Sequence, residues 1–139
     1  MSSIVCASEA ATLALHAAGI LAAHEGSVSA HTMATALGAS EATLSKVMQR
    51  LVKAGIVTSK RGPHGGFELA KAPGKITLLE VYESVEGVTE VAHCQLGTPV
   101  CEKQRCPLGS LFERVSRELM KELSGTTLAE FTVPVELED

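Results

Sequence analysis

Apolar and polar positions along this chain recur mostly at helical spacing, with one short interruption of β character. Residues 8–23 carry Ala and Leu on nearly every face, which predicts a buried core helix ended by Glu25-Gly26. Ser29 is placed to cap a short second helix that points Met33 and Leu37 inward and stops at Gly38. Ser40 then opens a third helix, in which Leu44, Val47, Met48, Leu51 and Val52 follow the i, i+3, i+4, i+7, i+8 rule up to Gly55. Two short β-like runs, 56–59 and 67–70, flank the glycine-rich tip Lys60-Arg61-Gly62-Pro63-His64-Gly65-Gly66 and predict a hairpin.

The second half is again helical. Thr77 and Glu80 form a capping box with Ile76 and Val81 as its hydrophobic staple, so a fourth helix should begin at Leu78 and end before Gly87. Pro107 suits a first helical position, and Leu108, Leu111, Phe112, Val115, Leu119 and Leu123 form a seam along a long amphipathic helix. A seam that long, far from the front core, predicts a dimer interface. Thr127 and Glu130 predict a last short helix over 128–131, followed by a disordered acidic tail, 136–139. The expected class is mainly α: a winged helix-turn-helix with a two-stranded β wing and a long C-terminal dimerisation helix. The expected units are a front domain (1–75), a linking helix and cysteine loop (76–106), the dimerisation helix (107–125) and a terminal piece (126–139).

Composition sharpens this picture. With three Phe, one Tyr and no Trp in 139 residues, the core must come from Ala, Leu, Val, Ile and Met, which favours close-packed helices. The apolar run 10–23 is too short to cross a bilayer, and the start lacks the cationic region of a secretory signal, so a cytoplasmic protein is expected. Net charge is −4 but unevenly spread: residues 1–75 hold seven Lys or Arg against four Glu, whereas residues 76–139 hold five against twelve acids. A basic front half is compatible with nucleic acid despite the acidic total.

The third helix carries a polar stripe, Thr43, Lys46, Arg50 and Lys53, opposite its apolar face. Following a tight glycine turn and preceding a hairpin, it makes a recognition-helix candidate. Ser40, Thr43 and Lys46 are the candidates for base edges, and Arg50 for phosphate or an internal acid. Lys60, Arg61 and His64 would serve the wing. His16 and His31 read as structural or surface residues. No nucleophile, base and acid stand at a readable spacing and no phosphate-cradling loop opens a helix, so no enzyme is expected.

Cys94, Cys101 and Cys106 lie in a Gly/Pro-punctuated loop between the fourth and fifth helices, at intervals of seven and five positions. Such spacing is wider than a zinc knuckle, and thiolates on a loop suit an iron–sulfur cluster. Zinc, a thiol–disulfide switch and three bystander thiols are the alternatives.

Lys53-Ala54-Gly55-Ile56-Val57 running into Arg61-Gly62-Pro63-His64-Gly65-Gly66-Phe67-Glu68-Leu69-Ala70, then 76–81, the three cysteines and Thr126-Thr127-Leu128-Ala129 resemble the winged-helix regulator family that includes IscR, NsrR and RirA. The resemblance implies a homodimer on a palindromic DNA operator, a repressor that senses redox state, nitric oxide, iron or cluster supply, and a [2Fe-2S] or [4Fe-4S] cluster on the three cysteines. It also implies a fourth ligand, for which the family's places hold Gly109 and Thr12 here. Glu9, one turn before Thr12, is the first choice; Cys6 and His93 are the alternatives. A metal-free or thiol-switching repressor of the same fold, or a small cluster-bearing electron carrier, are the rival readings.

Overall fold

Serine hydroxyls start the first three helices. In the computed structural model, which describes residues 3–91, 94–96, 100–101 and 106–138, Ser8, Ser29 and Ser40 each accept a backbone N–H three residues on at 3.1 Å. They open α1 (Glu9–Ala23), α2 (Ala30–Leu37) and α3 (Glu41–Lys53). Each such cap is worth about 1 kcal/mol, because it satisfies one of the four N–H groups that a helix start leaves without a partner. Gly38 closes α2 in the left-handed region at φ 64°, which lets Ser40 cap α3 two residues later.

The wing follows α3 directly. β1 (Val57–Lys60) and β2 (Gly66–Leu69) pair antiparallel, with Ser59 opposite Phe67 and Lys60 opposite Gly66. Both strands sit one residue off the expected runs. Ala70 N–H still reaches Ile56 O at 2.9 Å, and Phe67 also exchanges two backbone bonds with Val28, at 2.8 and 2.9 Å, which ties β2 to the α1–α2 connection. The capping box is present, with Glu80 taking the Thr77 N–H at 2.7 Å, and it opens α4 (Leu78–Glu86). Pro107 begins α5 (Pro107–Gly125).

One core joins these elements. Ile20, Met33, Leu44, Met48, Leu51, Ile76, Val81 and Leu128 are fully buried, so α1, α2, α3, α4 and the chain after α5 meet around it. Aliphatic and Met side chains fill it, with Phe67 the one aromatic in the buried set. No helix among the described residues is long and apolar enough to cross a membrane.

The C-terminal end departs from expectation twice. In place of the short helix over 128–131 there is a single turn, closed by Phe131 N–H on Thr127 O at 3.1 Å; Leu128 N–H bonds to Ile76 O at 2.9 Å and Thr127 bridges Thr77, which holds that turn against the start of α4. Beyond it the chain runs extended across α1. Phe131, Val133, Val135 and Leu137 are half-buried against the core and the residues between them are exposed. Val133 N–H reaches Gly19 O at 3.0 Å, and His24 touches Val135 O at 3.0 Å. Over the described residues 136–138 the acidic Glu136 and Glu138 thus flank Leu137 of a docked apolar arm, in place of the expected disordered tail; Asp139 lies outside the described residues.

The expected single seam on α5 is two adjacent faces. Phe112, Ser116, Met120 and Leu123 are half-buried and Gly109 is buried, on the side packed against α4. Leu108, Leu111, Val115 and Leu119 form a separate stripe that no described residue covers.

Candidate nucleic-acid interface and cysteine loop

Exposure along α3 sorts the expected contacts. Leu44, Val47, Met48 and Leu51 face the core, which turns Ala42, Lys46, Gln49 and Lys53 outward at i, i+4, i+7 and i+11. Lys46 is therefore on the outer face. Ser40 is exposed at the N-cap, but its hydroxyl donates to Thr43 Oγ1 at 2.7 Å, and Thr43 is only half-exposed. Arg50 is exposed as well, but its Nη1 donates to Val85 O at 2.8 Å and not to an acid. Gln49, absent from the expected contacts, is exposed and has no hydrogen-bond partner among the described residues. A primary amide in that position can read adenine through two hydrogen bonds. The signal for it is the helical wheel itself, since Gln49 lies three positions after Lys46 on the same outer face.

The wing tip is exposed from Arg61 to His64. Lys60 is paired with Glu68 at 3.0 Å, across the hairpin, whereas Arg61 makes no ion pair among the described residues. His64 presents its carbonyl to Ser27 Oγ at 2.9 Å, which fixes the tip to the α1–α2 connection. Electrostatically the outer surface of α3 and the wing keep Lys46, Lys53 and Arg61 uncommitted. His31, at the start of α2, pairs with Glu41 at 3.1 Å on the exposed surface.

The cysteine loop leaves α4 at Gly87 and enters α5 at Cys106. Cys106 is itself the N-cap of α5, its Sγ accepting Gly109 N–H at 3.3 Å. Cys94 Sγ accepts Leu96 N–H at 3.4 Å. Cys6, Cys101 and Cys106 are exposed and Cys94 half-buried, all as free thiols. Sulfur is a soft donor, so the donor chemistry at Cys94 and Cys106 fits a soft metal or cluster. Among the described residues no three Cys, His, Asp or Glu side chains are gathered into one such centre. Glu9 is exposed in the first turn of α1 and Cys6 lies upstream of it. His93 lies outside the described residues.

A family model described as Rrf2, iron-dependent transcriptional regulator, matches residues 7–133. The chain belongs to the Rrf2 family. IscR of Erwinia tasmaniensis is 34% identical over 111 residues, 79% of this chain and 67% of that protein. The solved structure of T. potens IscR has 27% identity and a TM-score of 0.73, covering 91% of this chain and 85% of its own. That of CymR, the global cysteine regulator of B. subtilis, has 26% identity and a TM-score of 0.74, covering 91% and 95%. The chain spans 61%, 74% and 67% of the length of three curated relatives that it matches. This Rrf2 chain is thus a winged-helix transcription regulator, of a family whose members bind DNA, and not an enzyme.

Proposed function

We propose that this Rrf2 protein acts as a homodimer on a palindromic operator and represses transcription according to an iron–sulfur cluster held by Cys94, Cys101 and Cys106. The observation that carries the reading is the setting of the thiols. Cys106 caps the helix that bears the uncovered apolar stripe, its sulfur on a backbone N–H, and the loop it closes begins at the end of α4. Likeness to IscR over most of the chain supports the same conclusion. When bound, such a cluster supplies redox and ligand-exchange chemistry that the side chains lack. The protein's own part is to hold it with three thiolates and a fourth ligand, for which Glu9 of the second copy is our choice. The DNA surface comprises Lys46 and Gln49 on α3 and Arg61 on the wing, with Ser40, Thr43, Lys60 and His64 at its margin.

Two measurements test this. Protein purified without oxygen is expected to be coloured and to carry iron, and Cys101→Ala to be colourless; an iron-free, colourless wild type removes the cluster. In gel shifts on the promoter of its own operon at increasing salt, Lys46→Ala and Arg61→Ala are each expected to lower the slope of log affinity against log salt by about one. Wild-type slopes in both would move the DNA surface elsewhere.

A second reading, a thiol-switching regulator without a cluster, is favoured by the exposure of Cys101 and Cys106 and by the likeness to CymR. It predicts an iron-free protein whose operator affinity changes on mild oxidation of two thiols to a disulfide.

A further inference from the structure

Four hydrogen bonds converge on the last turn of α4, just before the chain enters the cysteine loop. Arg50, in the last turn of α3, donates to Val85 O at 2.8 Å. Ser8, the N-cap of α1, donates to the Glu86 carboxylate. Glu83 accepts Thr89 N–H at 2.8 Å through its side chain and Gly87 N–H at 2.9 Å through its carbonyl, which folds the first residues of the loop back on the helix.

The Arg50 contact is the one that ties this turn to the DNA-reading helix. The last carbonyls of a helix lack intrahelical partners and carry the negative end of its dipole, so a guanidinium there makes a charge-assisted bond. The cleft around it is lined by Arg50, Lys53, Ala54, Ser84 and Val85, with no carboxylate among them. Arg50 is thus committed to a backbone carbonyl whose position follows α4, while Lys46, four residues earlier, is free.

We propose that Arg50 is a positioning residue, not a DNA contact. It latches the recognition helix to the end of α4, so that a change of state in the cysteine loop alters the roll of α3. This rests on the loop being the sensing element. Ordering or release of the loop pulls on residues 87–90, shifts the Val85 carbonyl, and carries Arg50 and the outer face of α3 with it. The two states then differ in the contacts they offer DNA, which is what a change of state requires to alter affinity.

The test compares wild type, Arg50→Met, which keeps the aliphatic stem, and Arg50→Lys, whose ammonium can still donate to the carbonyl. Operator affinity is measured against salt in the cluster-loaded and cluster-free forms. In Arg50→Met the ratio of the two affinities is expected to fall to within about twofold of one while the salt slope stays at the wild-type value; Arg50→Lys restores the ratio. A slope lowered by about one means a phosphate contact and overturns the latch. So does an unchanged ratio in a variant that is merely less stable. If wild type itself shows one affinity in both forms, the cluster reading fails and amide exchange judges the latch. Gly87 and Thr89 amides are expected to exchange about tenfold faster in Arg50→Met, through local opening of that turn. Wild-type exchange rates there overturn it.

Discussion

Leu111→Glu combined with Leu119→Glu is expected to give a folded monomer whose operator affinity falls by ~100-fold or more. Leu108, Leu111, Val115 and Leu119 stand 52%, 43%, 40% and 45% exposed in the single chain, at coiled-coil spacing on one side of α5. The opposite surface of the helix is charged, with Arg114, Arg117, Glu118 and Lys121 exposed and Arg117 bonded to Glu113 at 2.9 Å. That division leaves the apolar stripe as the face a second copy would bury. Two carboxylates per copy, facing their equivalents across a twofold axis, would be desolvated without partners, at a cost of several kcal/mol per ion that opposes association. On the proposed palindromic operator, affinity depends on the proposed dimer because the second half-site is bound at the millimolar effective concentration set by the first. Sedimentation and far-ultraviolet circular dichroism check the result, since the four side chains contribute nothing to the core of one chain. A variant that stays dimeric would sink the proposed interface; a monomer that keeps full affinity would sink the proposed operator geometry.

Gly66→Ala is expected to lower stability by roughly 3 kcal/mol and the thermal midpoint by about 10 °C. Gly66 sits at φ 154°, and a Cβ there would lie 2.4 Å from Val28 O and 2.5 Å from Val28 C. The neighbour is backbone, held by the paired bonds between Val28 and Phe67, so it cannot rotate aside as a side chain would. To accommodate the methyl group, β2 must leave the α1–α2 connection and expose Phe67, which is 8% exposed. Thermal unfolding of the purified variant measures the cost. A midpoint within about 2 °C of wild type would mean that the wing is not seated on Val28. The same variant should weaken operator binding more than Arg61→Ala does, because it displaces the whole wing and not one cation.

Much of the architecture was readable in local chemistry. Ser29, Ser40 and the Thr77–Glu80 box each stand where the chain can cap a helix with its own next turn, and Gly38 and Pro107 act through their own backbone limits. Such signals need no distant partner. The wing's glycines and the apolar period of α3 are of the same kind. The arm over 131–137 alternates strictly between apolar and other residues, but an alternation of that length acquires a meaning only from the surface of α1 on which it docks. At Thr127 and Glu130 the capping signal is present, with Thr127 N–H facing Glu130 at 3.5 Å, and one turn closes from Phe131 N–H to Thr127 O at 3.1 Å, but the chain then leaves it to run along α1 instead of continuing as a helix.

The candidate site divides along the same line. The sequence by itself determined the winged-helix order, the positions of Cys94, Cys101 and Cys106 between two helices, and the polar outer side of α3, because helical period and end-capping act over three or four residues. Tertiary structure alone decided which polar residues of that side remain free. Packing α3 on α1 and α4 rotates Thr43 half inward, sends Arg50 to a carbonyl 35 positions away and leaves Gln49 exposed. It also split the α5 seam into one face that packs on α4 and one that stays open. Both outcomes depend on how neighbouring helices are oriented, and residues distant in sequence set that orientation.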